Sequence, residues 1–83
     1  MPTVAIVDGI KIELYFDEHP PPHFHVKIAG YRAQVSIDAL NVIRGELPRP
    51  YFRKVARWAQ TRKAPLLRAW EACRTKQDPE RIE

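Results

Sequence analysis

The hydrophobic period of the chain changes near its middle, and this change constrains the fold more than any other feature. Up to about residue 45 apolar residues alternate with polar ones, whereas after residue 50 they recur at intervals of three and four. A period of two predicts β-strands and a period of 3.6 predicts α-helices. Strands followed by helices, without alternation between them, favour an α+β domain over a parallel α/β domain.

The first half contains four strand segments and a weaker fifth: "TVAIV", "IKIELYF", "HFHVKIA", "YRAQVSI" and a short one around "NVIRG". Asp8-Gly9 is a two-residue hairpin signal, and Gly30 marks a second tight turn. Because short turns join antiparallel neighbours, we predict a four- or five-stranded antiparallel meander. One face of this sheet should be buried and the other solvated.

The alternation also assigns side chains to the two faces of the sheet. In "IKIELYF" it places Ile10, Ile12, Leu14 and Phe16 on the buried face. The opposite face, called the outer face below, is predicted to be wet and to carry the polar side chains Glu13, Tyr15, His23, His25, Lys27, Arg32 and Gln34.

The second half predicts two amphipathic helices. The first runs from Pro50 to about Arg62, and the second lies in "PLLRAWEACR", which Pro65 begins. Since the apolar face of the sheet can cover both apolar helix stripes, we expect the two C-terminal helices to pack on that one face. Residues 1–76 then form a single small domain, and residues 77–83 a frayed C-terminal tail.

Length and composition exclude several classes of protein. The chain has 83 residues and a single cysteine, Cys73, so it has no internal disulfide framework. No apolar run approaches the roughly 20 residues that span a bilayer, and no basic region precedes the apolar N-terminal stretch as in a secretory signal. We therefore expect a cytoplasmic protein without membrane contact, whose thin core is compatible with a homo-oligomer.

The charge is distributed asymmetrically along this basic chain, which has a net charge of +4. Residues 1–43 contain three basic and five acidic side chains, whereas residues 44–83 contain eleven basic and five acidic ones. On the first helix Arg49, Arg53 and Arg57 form one row, with Lys54 beside it. This basic row predicts a surface for nucleic acid or an acidic partner protein, although a merely solvated helix face would show the same pattern.

All three histidines, His19, His23 and His25, lie in "HPPPHFHV". His23 and His25 are two apart on one predicted strand, so both project from the outer face together with Lys27. The three prolines stiffen the loop that follows His19.

Three hypotheses for this segment stay open. The first is a divalent-metal site with His19, His23 and His25 as candidate ligands and Glu13 or Asp17 as a further one, although no cofactor is assigned. The second is metal-free catalysis, in which His23 and His25 transfer protons and Lys27 or Arg32 stabilises a phosphate oxyanion. In the third the histidines are ordinary polar residues of a wet sheet face.

The stretches "YFDEHPPPHFHVKIAGYRAQVSID", "GELPRP" and "LLRAWEACR" together resemble a small bacterial family, domain of unknown function 4160, over roughly residues 1–76. A third proline before His23 departs from the family pattern and stiffens the loop. The resemblance implies no established activity, and it implies a place in two-gene systems of the toxin–antitoxin kind. The matching positions are Phe16, His19, Pro21, Pro22, His23, Phe24, His25, Gly30, Gly45, Leu47, Pro48 and Trp70.

The first functional hypothesis is therefore a non-enzymatic binding module of such a system, which contacts the protein product of the neighbouring gene or a nucleic acid. A ribonuclease-type toxin that uses His23 and His25 without a metal is the main alternative, and a histidine-ligated metal protein is the third. The candidate partner-binding residues are Arg49, Arg53, Lys54 and Arg57 of the basic row, together with Tyr15 and Arg32 of the outer face.

Overall fold

The computed structural model of the chain describes residues 2–82 and shows five strands followed by two helices. The strands form one antiparallel sheet in which the spatial order equals the chain order. This confirms the predicted α+β fold with a meander sheet and two C-terminal helices. The elements are β1 (Thr3–Val7), β2 (Ile10–Glu13), β3 (His23–Ile28), β4 (Tyr31–Ser36), β5 (Val42–Gly45), α1 (Arg49–Gln60) and α2 (Lys63–Arg74).

Two-residue turns set the pairing at both hairpins. Asp8 and Gly9 join β1 to β2 with positive φ angles of 49° and 81°, and Ala29 and Gly30 join β3 to β4 with 50° and 82°. Two successive positive φ angles are what the twist of a tight hairpin requires. The second turn fixes Lys27 directly opposite Arg32.

The core lies between the sheet and the two helices. Strand residues such as Ile12, Phe24 and Val35 are fully buried against Val55 of α1 and Trp70 of α2. Burial raises the pKa of the Cys73 thiol, which belongs to the same core. In the part of the chain that the structure describes, neither helix has the length and apolar character to cross a bilayer.

Three side chains differ from the predicted burial pattern. Phe16 was expected in the core but is 40% exposed, because β2 ends at Glu13 and the chain leaves the sheet after Leu14. Glu13 and His23 were expected on a wet face but are only 5% and 4% exposed. Glu13 lies beneath Lys27 and Tyr15, which both donate to it, and the ring of His23 contacts the indole of Trp70.

The segment after α2 has no regular secondary structure, but its end contacts the sheet. The backbone N–H of Ile82 donates to the carbonyl of Val4 at 2.7 Å, and the Ile82 side chain is buried in the core cluster. Such an anchored end was not expected of a segment predicted to fray.

Candidate functional site

Strand register collects positive charge on the outer face. Lys11 of β2, Lys27 of β3 and Arg32 of β4 are direct cross-strand partners and form one row of three cations. The neighbouring row runs from Glu13 through His25 and Gln34 to Arg44. Between these rows lies a cleft of about 300 Å³, called the outer-face groove below, with side chains from Tyr15, His25, Lys27, Arg32, Gln34 and Arg44 on its walls.

One carboxylate compensates part of this charge. Glu13 Oε1 accepts hydrogen bonds from Lys27 Nζ at 3.1 Å and from the Tyr15 hydroxyl at 3.2 Å. The bond to Glu13 raises the pKa of Lys27, and Tyr15 contributes further, so this ammonium stays charged at neutral pH. Within residues 2–82, no carboxylate forms an ion pair with Arg32 or Arg44.

Two of the three histidines meet a carboxylate at the start of β3. Nε2 of His25 is hydrogen-bonded to Oε1 of Glu18, and Nε2 of His23 lies 3.5 Å from the same oxygen. The two imidazole centroids are 5.3 Å apart. We call Glu18, His23 and His25 the Glu–His–His cluster.

Neighbouring groups hold both rings of the cluster in place. Nδ1 of His23 lies 2.8 Å from the carbonyl oxygen of Pro21, and its ring contacts Trp70 with 5.0 Å between centroids. The ring of His25 stacks on Tyr15 at 3.8 Å and an interplanar angle of 9°. Because a carbonyl can only accept, Nδ1 of His23 carries the hydrogen and Nε2 presents a lone pair in the neutral ring.

The loop between β2 and β3, which contains the three prolines, explains why Glu18 completes the cluster. The carbonyl of Pro22 accepts a hydrogen bond from the N–H of Ile37, which fixes the end of the loop against the sheet. Asp17 has a positive φ of 59°, and this turn directs Glu18 back toward β3 while His19 remains exposed.

The predicted metal ligands are therefore only partly brought together. His23 and His25 meet, whereas His19 lies outside the cluster. Glu18, which was not among the predicted ligands, takes the place expected for His19. Of the further ligands proposed, Glu13 pairs with Lys27, and Asp17 lies 3.7 Å from Lys76. The loop has no hydrophobic period, so nothing in the sequence distinguishes Glu18 from its neighbours.

The basic row of α1 lies apart from the outer-face groove. Arg49, Arg53, Lys54 and Arg57 are exposed, and Lys54 lies 3.8 Å from Asp8. The apolar side of α1 packs on the buried face of the sheet, so the basic row on the other side of the helix is directed away from the sheet. The basic row and the outer-face groove therefore point to opposite sides of the molecule. The two predicted binding surfaces are thus separate.

Comparison with known proteins identifies one family. The family model described as "Domain of unknown function (DUF4160)" matches residues 9–71, which include the groove, the Glu–His–His cluster and most of both helices. No curated protein and no solved structure matches the chain. The family description carries no activity, so the function has to be argued from the site. By this match over most of its length, the protein belongs to the DUF4160 family.

Proposed function

We propose that the protein is a non-enzymatic binding module of a bacterial two-gene, toxin–antitoxin-like system, and that its outer-face groove binds an acidic partner. The protein product of the neighbouring gene is the first candidate, and the phosphates of a nucleic acid are the alternative. The observation that carries the proposal is the row of directly opposed cations, Lys11, Lys27 and Arg32.

This row is unfavourable for an isolated sheet. Like charges directly opposite each other destabilise a strand pair, and the row contains two such contacts. Glu13 compensates Lys27 alone. An anionic group bound at the groove would remove the remaining repulsion, which gives the arrangement a functional reason.

The side chains of the groove suit carboxylate or phosphate groups. Arg32 and Arg44 carry planar guanidinium groups, which bind either anion through two parallel hydrogen bonds. Gln34 is two residues from Arg32 on β4 and directly opposite Arg44 on β5, and it offers an amide donor. A positively charged groove with polar donors favours an acidic surface patch over an apolar helix as its ligand.

The test is a charge reversal on each of the two predicted surfaces. We expect the Arg32→Glu/Arg44→Glu double variant to bind the co-expressed neighbouring-gene product at least about 10-fold more weakly, since four units of charge are changed in the groove. The matched control, Arg53→Glu/Arg57→Glu on α1, makes the same change on the opposite side and should bind normally. Titration calorimetry measures both affinities, and circular dichroism verifies the fold.

Two results would contradict this proposal. Loss of binding in the α1 variant alone would move the interface to the basic row. No binding of the gene product by the unmodified protein would refute the two-gene assignment. Fluorescence anisotropy with labelled single-stranded RNA then tests the nucleic-acid alternative, in which affinity must fall steeply with salt and depend on Arg32 and Arg44.

A metal-independent ribonuclease is the second candidate function, because Glu18 is hydrogen-bonded to His25 beside a cationic groove. A carboxylate that orients an imidazole is what a general base requires. His23 is 4% exposed, so the geometry supports proton transfer by His25 alone, with Lys27 near enough in the groove to contact a phosphate.

This second candidate makes its own prediction. His25→Ala should lower the rate of RNA cleavage by at least about 100-fold, the usual contribution of a general acid–base group, and should prevent growth arrest on expression. His19→Ala, which removes an exposed histidine from the same loop, should leave both unchanged. Harmless expression at high level, together with intact RNA after incubation with the purified protein, would exclude the activity.

A further inference from the structure

We infer that the Glu–His–His cluster is a binding site for one divalent transition-metal ion, with Zn²⁺ as the ion whose chemistry fits it best. Each residue contributes one ligand atom, and the three atoms all lie within 4.8 Å of one another. The inference stands on the cluster itself and is independent of whether the outer-face groove binds a partner.

The spacing matches metal coordination. With zinc bonds of about 2.0–2.2 Å to nitrogen and oxygen, two ligands of a tetrahedral ion lie about 3.3–3.5 Å apart. Glu18 Oε1 and His23 Nε2 are separated by 3.5 Å. Nε2 of His25 faces the same oxygen, so a small rotation of the partly exposed Glu18 side chain opens a position for an ion between all three.

An unpartnered buried atom points into the cluster. Nε2 of His23 has no hydrogen-bond partner, and among the described residues it is the one buried side-chain nitrogen or oxygen in this condition. Its Nδ1 donates to Pro21, so Nε2 presents a lone pair toward the oxygen of Glu18, which is itself an acceptor. Two acceptors that face each other repel unless a cation or a hydrogen-bond donor lies between them, and a metal ion bound there would satisfy both at once.

The surroundings also prepare the ligands for a metal. Metal-binding histidines usually donate their second ring nitrogen to a carbonyl or carboxylate, which fixes the tautomer and the ring orientation. His23 has this arrangement with Pro21, and Trp70 further limits its ring. Stacking on Tyr15 orients His25. The rings would therefore lose little conformational freedom when an ion binds.

The donor set decides between classes of ion. Two imidazoles and one carboxylate suit zinc and other transition metals, whereas Mg²⁺ and Ca²⁺ prefer oxygen ligands only. Three protein ligands leave a coordination position open. Glu18 and His23 border a cleft of about 450 Å³. Gln34 and Arg44 line both this cleft and the outer-face groove, so the two are adjacent. Water, or an anionic oxygen of a molecule in the groove, can thus complete the coordination.

The test titrates Zn²⁺ into full-length, untagged protein that has been stripped with a chelator. We expect one equivalent to bind, and Glu18→Gln and His25→Gln to weaken binding at least about 100-fold, because even the loss of a residue that only orients a metal ligand costs about 10–100-fold. His19→Gln is the matched control, since it removes an exposed histidine from the same loop and should bind normally. Substitution of Co²⁺ should give the visible absorption bands of a four- or five-coordinate site.

Three different results would refute the metal site. Less than one equivalent of bound Zn²⁺ at micromolar concentration would overturn the site, and so would an equal loss in His19→Gln. If imidazole nitrogen NMR shows a hydrogen on Nε2 of His23 that persists when Zn²⁺ is added, the cation between the acceptors is a proton and the metal site is refuted. Glu18→Gln and His25→Gln carry the test because both side chains are partly exposed, whereas a change of buried His23 risks unfolding.

Discussion

Replacing Trp70 with alanine is expected to lower the free energy of unfolding by about 3–5 kcal/mol, the usual cost of removing a large aromatic side chain from a core. Trp70 is 1% exposed and is the largest of the fully buried side chains. At about 0.05–0.15 kcal/mol per residue, a chain of 83 residues has a total stability of about 4–12 kcal/mol. The substitution would therefore remove about a quarter of the stability or more.

The second tryptophan provides the control for this experiment. Trp58 is half-buried at the margin of the core, where the Arg62 guanidinium lies 5.4 Å from its ring centroid. Trp58→Ala should cost only about 1–2 kcal/mol, since part of its surface is already in water. Urea unfolding followed by circular dichroism measures both values. Equal losses for the two variants would contradict the placement of Trp70 at the centre of the core.

Most of the fold could be predicted because period and turn chemistry act locally. The alternation in β2 and β3 and the 3.6-residue stripes of the helices identify the elements and the side that each one buries. Periodicity assigns a residue to a face but does not say what covers that face. Glu13 and His23 lie where the alternation places them along their strands, yet their neighbours in space remove them from water.

Only part of the candidate site could be predicted from the sequence. The two-residue turn at Ala29-Gly30 by itself sets Lys27 opposite Arg32, so this pair follows from the sequence. The pairing of Lys11 with Lys27 crosses the long loop between β2 and β3, whose conformation has no local signature. The same loop hides Glu18, because a left-handed residue and three prolines decide together which side chain turns inward.

The substitution Gly45→Ala is expected to destabilise the protein by about 2–5 kcal/mol, because it combines backbone strain with a steric overlap. Gly45 ends β5 with a φ of +83°, and a Cβ atom there would lie 2.3 Å from the carbonyl oxygen of Arg32 and 2.9 Å from the Cα of Ala33. Both atoms belong to the backbone of β4, so no side-chain rotation relieves the overlap. The edge strand β5 has to move.

Gly30→Ala separates the two contributions. Gly30 has almost the same φ, +82°, but a Cβ atom there meets nothing within 4 Å. Its substitution should cost only the left-handed strain of about 1–2 kcal/mol. The difference between the two variants in urea unfolding thus measures the close approach of β5 to β4. Equal costs would contradict that approach.

The overlap at Gly45 should also act locally, on the groove. Because β5 carries Arg44, displacement of this strand moves one of the two guanidinium groups that we propose to bind the acidic partner. Amide hydrogens of the β4–β5 pair should exchange faster in Gly45→Ala, while those of the β1–β2 pair, at the far edge of the sheet, keep their protection. Partner binding should weaken in parallel, whereas Zn²⁺ binding at Glu18, His23 and His25 should persist. Parallel loss of both would mean that the sheet unfolds as one unit and that β5 has no independent role.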